Sequence, residues 1–322
     1  LYATISQAYY ESEKLFFGYA YGITCDEKRS QYFLSQRRNQ TINNFIHAFI
    51  NHLWLFDRSP RLFKKEQLMD ANYWNGFAHE YHKVVTDAFT YGRGRTIEDF
   101  IDRIASPDRT AADFGCGTGK MLPFLAQKFH GVYGYDFSEK LLEYASERCR
   151  KIQNVQIAQV DLSEPVKHLP MVDMAISLNA AIMPDNEKRE RMLKGIVSRI
   201  KPGGHLIFVV PSVESILYIA FRDMEFHIKK GLPAKEAALQ VDLSSLTDPR
   251  QMAQGVLARG GEPTKHYLKE ELTVLVKSLK LELLEITKVE YAWTTELDSV
   301  PRWMREPYPW DWLVFATLPV KE

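Results

Sequence analysis

From about residue 110 onward, the apolar positions of this chain fall into two alternating rhythms. Short apolar runs occur at Ala111–Phe114, His130–Tyr135, Val155–Val160, Val172–Leu178 and His205–Val210. Between them lie stretches with helical spacing, such as Met121, Leu122, Phe124 and Leu125, or Leu141, Leu142 and Ala145 behind a candidate N-cap, Ser138. A charge-alternating segment, Glu187 to Ile200, reads as another helix with one solvated face. Strands that alternate with helices predict an α/β domain. Val172–Leu178 is almost continuously apolar, as a strand buried on both faces should be. Further on, a helix from Glu270 to Leu279 precedes two last strands, Leu281–Tyr291 and Trp310–Leu318, which read as antiparallel.

The joint between the first strand and its helix carries the chemistry. It reads Asp113-Phe114-Gly115-Cys116-Gly117-Thr118-Gly119-Lys120. Glycines at alternate positions permit positive φ and let a ligand lie against the main chain, at the N-terminus of the next helix. A phosphate-binding P-loop needs glycine in place of Phe114 and a hydroxyl in place of Met121, so it fails twice. A dinucleotide fingerprint needs its third glycine where Lys120 stands. What remains is G-x-G-x-G behind an acidic residue, Asp113, which repels a pyrophosphate and suits a ligand with an ammonium group. Asp136 ends the second run, where a carboxylate can accept both hydroxyls of a ribose. Asp161-Leu162 closes the third run, where a carboxylate can meet an adenine amino group. Lys201-Pro202-Gly203-Gly204 reads as a turn into the fifth.

With these four landmarks in this order, the chain resembles the class I S-adenosylmethionine-dependent methyltransferases of small-molecule type over residues 71–322. The resemblance implies a doubly wound, mostly parallel seven-stranded sheet with an antiparallel last strand. It implies S-adenosyl-L-methionine as cofactor, with Asp113, Phe114, Gly115, Cys116, Gly117 and Gly119 around its methionine part. Asp136 would then hold the ribose, Phe137 the adenine face, and Asp161 with Leu162 the adenine edge. Asn179, at the tip of the fourth strand, would lie beside the transferable methyl group. Each has a plainer alternative: Asp136 and Asp161 as turn caps, Asn179 as a partner for loop backbone, Cys116 as a small apolar filler. Displacement at a sulfonium needs alignment more than a catalytic signature, so no catalytic residue is assigned. The segment Asn179–Pro184 lacks the Asn/Asp-Pro-Pro-Tyr that grips planar amino groups, and no Pro-Cys nucleophile is present.

Composition narrows the acceptor. Among 322 residues, 41 basic and 41 acidic side chains cancel, so no net field draws the protein to nucleic acid or an anionic membrane. The expected partner is a small-molecule substrate, with neither nucleic acid nor membrane. The expected function is methyl transfer to a small molecule. The alternatives are a protein or RNA methyltransferase, and a non-catalytic module that keeps the fold. Three cysteines, Cys25, Cys116 and Cys149, show no pairing or metal spacing, which fits a reducing, cytoplasmic setting. The chain starts at Leu1, so a trimmed start with a lost targeting segment stays open.

Three flanking regions complete the expectation. Residues 1–70 form an aromatic-rich helical extension, with Ile42, Phe45, Ile46, Phe49, Ile50, Leu53 and Trp54 at helical spacing, suited to core packing or a homodimer interface. A second aromatic stretch, Asn72–His82, precedes the core; Tyr73 and Tyr81 are candidates to close over the ligands, with core packing as the alternative. His79 and His82 lack a third ligand, so no metal is assigned. Residues 213–263 read as a helical insertion at the carboxyl ends of the strands, the natural lid. His266 and Tyr267, just beyond it, are candidate substrate contacts. The connection Ala292–Pro309, with Trp293, Glu296, Trp303, Arg305 and Tyr308, is a candidate wall of the site.

Overall fold

The structure is a computed structural model that describes residues 71–80, 87–241, 249–258, 263–297 and 299–320, all within one unit, Gln67–Glu322. The expected extension over residues 1–70, with its suggested dimer interface, and Tyr81 and His82 lie outside the described residues.

Side-chain alternation along the strands builds two apolar faces on one sheet. The strands are β1 (Thr110–Phe114), β2 (Gly131–Asp136), β3 (Val155–Gln159), β4 (Val172–Leu178), β5 (Ile200–Pro211), β6 (Val256–Leu257), β7 (Thr264–Lys265), β8 (Glu282–Glu290) and β9 (Trp310–Thr317). Seven form the main sheet in the order β3-β2-β1-β4-β5-β9-β8, and β6 with β7 forms a small separate hairpin. The strands from β1 to β5 run parallel, and β9 runs antiparallel to both its neighbours. This is the expected doubly wound sheet with one antiparallel strand.

In β5, Leu206, Phe208 and Val210 join one core layer while Ile207 and Val209 join the other. Strand β4 divides likewise, with Ala175 on one side and Met174 and Ile176 on the other, none of them exposed. Each such aliphatic side chain contributes roughly 1.5–3 kcal/mol through burial. Strand β3 is the sheet's edge, and Gln156 and Gln159 there face water, which blunts pairing with another chain.

The described residues form the α-helices α1 (Ala71–Phe77), α2 (Ala88–Tyr91), α3 (Thr96–Asp102), α4 (Leu122–Ala126), α5 (Glu139–Cys149), α6 (Asn186–Val197), α7 (Val213–Lys229), α8 (Ala234–Gln240), α9 (Pro249–Ala253) and α10 (Lys269–Ser278). Ser138 caps α5 as expected, its Oγ accepting the Leu141 N–H at 3.2 Å, and Leu141, Leu142 and Ala145 are buried. Asp185 caps α6 by accepting the Lys188 N–H at 3.0 Å. One expectation needs correction. Lys201–Gly204 is not a turn ahead of the fifth strand but an irregularity inside β5: Ile200 pairs with Val172, and the next pairing is His205 with Met174. A Cβ on Gly204 would lie 2.9 Å from the Asp173 carbonyl oxygen, so the chain bulges where that residue has no side chain.

The strand order reverses between β1 and β4. Loops after β1 and β2 turn one way and those after β4 and β5 the other, which opens a crevice at the carboxyl ends of the strands. Because β9 is antiparallel, its first residues sit at that same end, Asp311 paired with Pro211 at the end of β5 and Trp310 with Glu290 of β8. Helix α7 starts there too. Ser215 Oγ accepts the Trp310 N–H at 2.8 Å, and the Glu214 carboxylate accepts the Trp312 indole N–H at 3.0 Å. Farther along, Ile219 packs with Trp293 and Met304 of the 292–309 connection in a satellite apolar cluster.

Candidate cofactor and acceptor site

The glycine turn is held to the sheet by its own backbone. The N–H groups of Gly115 and Cys116 both donate to the Tyr135 carbonyl, at 2.7 and 2.9 Å, so the turn folds over the end of β2. Gly115, Gly117 and Gly119 have φ of 87°, 53° and 69°, the left-handed region where a side chain is strained. Space forbids one as well: a Cβ on Gly115 would lie 2.3 Å from the Ala180 Cβ. Cys116, between them, is buried, and burial pushes its thiol well above the ordinary cysteine range, so it is no nucleophile.

Below the turn, Asp113 is 4% exposed and makes no side-chain hydrogen bond among the described residues. Burial, with Asp87 and Asp136 adding like charge, pushes its carboxyl up to about 8. Asp87 itself caps α2, and its second oxygen lies 3.4 Å from the Lys120 ammonium. Asp113 thus holds its proton far more readily than an ordinary carboxyl, and a cation beside it would favour the carboxylate. Asp136 is also buried, which raises it, but it is bonded: Oδ2 accepts the Gly117 N–H and Oδ1 the Ser138 N–H, both at 2.9 Å. Each carboxylate oxygen has two lone-pair sites, so one on each remains for a pair of hydroxyls.

Helix α1 closes on this end of the crevice through a residue that sequence reasoning passed over. Asn75 Oδ1 accepts from Ser138 Oγ at 2.7 Å and from the Lys140 N–H at 3.2 Å, which ties the helix to the first turn of α5. Tyr73, one of the candidate contacts, is partly buried there and meets Trp74 edge-on. Phe137 is partly exposed, and its carbonyl accepts from Gln159 Nε2 at 3.0 Å. Asp161 is exposed, with Oδ1 accepting from the Ser163 N–H and Oγ in a local turn, while Leu162 is buried in the core.

At the far end of the crevice stands a second polar group. Asn179, at φ 51°, donates its N–H to the Val209 carbonyl and its side-chain Nδ2 to Asp311 Oδ2 at 2.8 Å. The Tyr291 hydroxyl donates to the same oxygen at 2.6 Å. Burial pushes Asp311 up to about 6, against the two bonds that hold it down, and Glu296 adds like charge. Asn179 Oδ1 is buried with no hydrogen-bond partner. Asp311 and Tyr291 were not singled out from the sequence. The available signal was an acidic residue within the apolar run Trp310–Leu313, where a strand seldom tolerates an idle charge.

The structure places two of the candidate substrate contacts inside the protein. Tyr267 is 1% exposed, and its hydroxyl donates to the Ala181 carbonyl at 2.7 Å, so it braces the loop after β4 from within the core. His266 is buried beside it, with Nδ1 3.1 Å from the Thr264 carbonyl. Among the described residues, no group of three or more His, Cys, Asp or Glu side chains is placed to hold a metal ion, and no helix is long and apolar enough to cross a membrane.

Residues 111–204 match the family model for a methyltransferase domain, the segment that runs from the glycine turn to the bulge in β5. That stretch is similar to methyltransferase domains. Among solved structures, the [4+2]-cyclase SpnF aligns with a TM-score of 0.51 at 16% identity, over 78% of this chain and 96% of that one. A SAM-dependent methyltransferase from Methanosarcina mazei aligns with a TM-score of 0.47 at 18% identity, over 69% and 97%. The N-methyltransferase NodS from Bradyrhizobium japonicum, in complex with S-adenosylhomocysteine, aligns with a TM-score of 0.48 at 12% identity, over 76% and 99%. No curated protein sequence matches the chain. The sheet has the strand order of the class I S-adenosylmethionine-dependent enzymes, and S-adenosylmethionine is the cofactor this fold implies. The residues present fit it: a turn with three left-handed glycines, a buried acid, Asp113, without a side-chain hydrogen bond among the described residues, and free lone pairs on Asp136.

Proposed function

We propose that the protein transfers the methyl group of S-adenosylmethionine to a small-molecule acceptor by direct in-line displacement. The observation that carries this reading is the state of Asp113, a buried carboxyl with no protein partner under three left-handed glycines. Such a group is costly unless a cation completes it, and the methionine ammonium of the cofactor is a cation of the right size. In this reading Asp113 and the glycine turn hold the methionine part, Asp136 the ribose hydroxyls, Phe137 the adenine face and Asp161 with Leu162 the adenine edge. Asn179 would then lie beside the transferable methyl group.

The cofactor supplies an activated methyl group on a sulfonium. The protein's own work is alignment and exclusion of water. A small acceptor is supported by the zero net charge and by the position of α7 and the 292–309 connection. Both stand at the carboxyl ends of the strands, and we read the described helices α7, α8 and α9 as the lid there. The fold by itself decides nothing about the reaction, because it also serves a [4+2]-cyclase.

Thermal shift with S-adenosylmethionine and S-adenosylhomocysteine, with Asp136→Ala as control, tests the cofactor. If neither ligand raises the wild-type melting temperature, the assignment is wrong. If both do, mass-resolved methyl transfer across a metabolite extract tests the activity, and a blank there favours a non-catalytic module.

A further inference from the structure

The polar group around Asp311 meets the cofactor's proposed path only at Asn179. The cofactor of this reading runs from Asp136 at the end of β2, past Asp113 on β1, to Asn179 on β4. Asp311 opens β9, three strand positions beyond β1 in the sheet order. At roughly 4.8 Å per strand that is about 14 Å from the glycine turn, on the side where an acceptor must approach the methyl group.

Its hydrogen bonding is one-sided. Oδ2 of Asp311 receives both the Tyr291 hydroxyl and the Asn179 amide, while Oδ1 receives nothing among the described residues. Asn179 Oδ1 is buried and unpartnered, and its orientation is fixed because the Nδ2 of the same amide faces the carboxylate. The two side chains joined by this bond therefore each keep one oxygen acceptor without a donor among the described residues. Among the described residues, the other groups named around them are acidic or committed elsewhere, with Asp87 itself 3.4 Å from the Lys120 ammonium. Glu296 and Asp87 add negative charge at Tyr291, Glu214 is bonded to Trp312, and the Lys288 ammonium lies over the Trp310 ring at 3.5 Å. Such a wall repels a carboxylate or phosphate and leaves a neutral hydroxyl with one donor for two acceptors. An ammonium supplies up to three.

We propose that the acceptor is an amine bound in its ammonium form on Asp311 Oδ1 and Asn179 Oδ1, and that Asp311 takes the proton that frees its nitrogen. The inference rests on the cofactor reading above. An ammonium has no lone pair and cannot attack. One proton passes from R–NH3+ to the Asp311 carboxylate, and the facing sulfonium assists by making the ammonium more acidic. The freed lone pair forms the N–CH3 bond while the S–CH3 electrons return to sulfur. The product leaves as R–NH2+–CH3, and Asp311 releases its proton to water. Tyr291 and Asn179 are positioning residues, since they act through the other carboxylate oxygen.

The test uses the full chain saturated with S-adenosylhomocysteine, so that binding is read without turnover. Benzylamine, 2-phenylethylamine and putrescine are compared with benzyl alcohol, phenol and benzoate by thermal shift and calorimetry. At least one amine should bind, and none of the other three. Asp311→Asn should weaken that amine about tenfold or more while leaving S-adenosylhomocysteine affinity within about twofold. Amine affinity should fall as pH drops through about 6. In Tyr291→Phe, which keeps the packing, that limb should move to higher pH because a donor to the carboxylate is gone. A purely structural role would not move it.

Preference for the alcohol, phenol or benzoate, or binding of none, overturns the proposal. So does a large loss of S-adenosylhomocysteine affinity in Asp311→Asn, which would give Asp311 to the cofactor's own ammonium. Failure of wild type to bind S-adenosylhomocysteine is seen before any amine is added, and it removes the cofactor reading and this proposal together.

Discussion

Asp136 and Gly117 are joined across the floor of the crevice: Oδ2 of the aspartate accepts the glycine N–H at 2.9 Å. The bond ties the end of β2 to the middle of the glycine turn, so the proposed ribose-side carboxylate and the methionine-side loop are positioned by one contact. The second oxygen does the same for the first turn of α5 through Ser138. Asp136 thus organises the turn in addition to facing the ligand.

Asp136→Ala should therefore lose more than affinity. Two buried N–H groups would be left without acceptors, at a cost of about 1–3 kcal/mol each, and S-adenosylhomocysteine should no longer raise the melting temperature. Asp136→Asn retains one acceptor and should recover part of the stability but little of the affinity. Urea unfolding paired with calorimetry separates the two effects. Equal recovery of both would contradict the double role.

Asp113 gives a pH signature. Its carboxyl is raised from the ordinary 3.8 to about 8 in the folded protein. The sign follows from linkage: the contribution to stability is fully present below about pH 4 and is lost as pH rises through about 8. Asp113→Asn removes that loss. The variant should match wild type near pH 4 and be more stable at pH 8.5, by an amount on the order of a few kcal/mol, while binding S-adenosylhomocysteine far more weakly. Ligand binding to wild type at pH 7 should release a proton, read by calorimetry in buffers of different ionisation enthalpy. No release, or no stability gain at high pH, would show that Asp113 is already ionised.

Gly115 separates conformational from steric demand. Alanine there carries a strained φ of 87° and a Cβ 2.3 Å from that of Ala180. Gly115→Ala should destabilise by about 2 kcal/mol or more. Adding Ala180→Gly relieves the clash but not the φ, so the double variant should recover only part of the loss. Full additivity in that cycle would mean that the two residues do not press on each other.

The sequence made the sheet legible because its signals are local. Continuous apolar runs for Val172–Leu178 and His205–Val210, the Ser138 cap and the glycine spacing each report on a few neighbouring residues, and each appears in the structure. Its limits were physical as well. The Lys201–Gly204 segment has the composition of a turn, and only pairing on β4 shows that it bulges within a strand. Asp311, Tyr291 and Asn179 come from β9, the end of β8 and the end of β4, so their union depends on strand order. Tyr267 stands among loop residues in sequence, yet the contact that buries it, with Ala181, spans 86 positions.

Tyr267 supplies the last prediction, since its two possible roles give opposite results. If its hydroxyl braces the loop after β4, Tyr267→Phe leaves the buried Ala181 carbonyl without its donor and removes nothing an acceptor touches. Stability should then fall by about 1–2 kcal/mol. Amine binding to the S-adenosylhomocysteine complex should change by less than about threefold, because the Asn179 and Asp311 oxygens stay in place. If the hydroxyl meets the acceptor directly, stability should barely change and acceptor affinity should fall by tenfold or more. Urea midpoints and amine calorimetry on the same preparation decide between them, and the 2.7 Å bond to Ala181 predicts the first outcome.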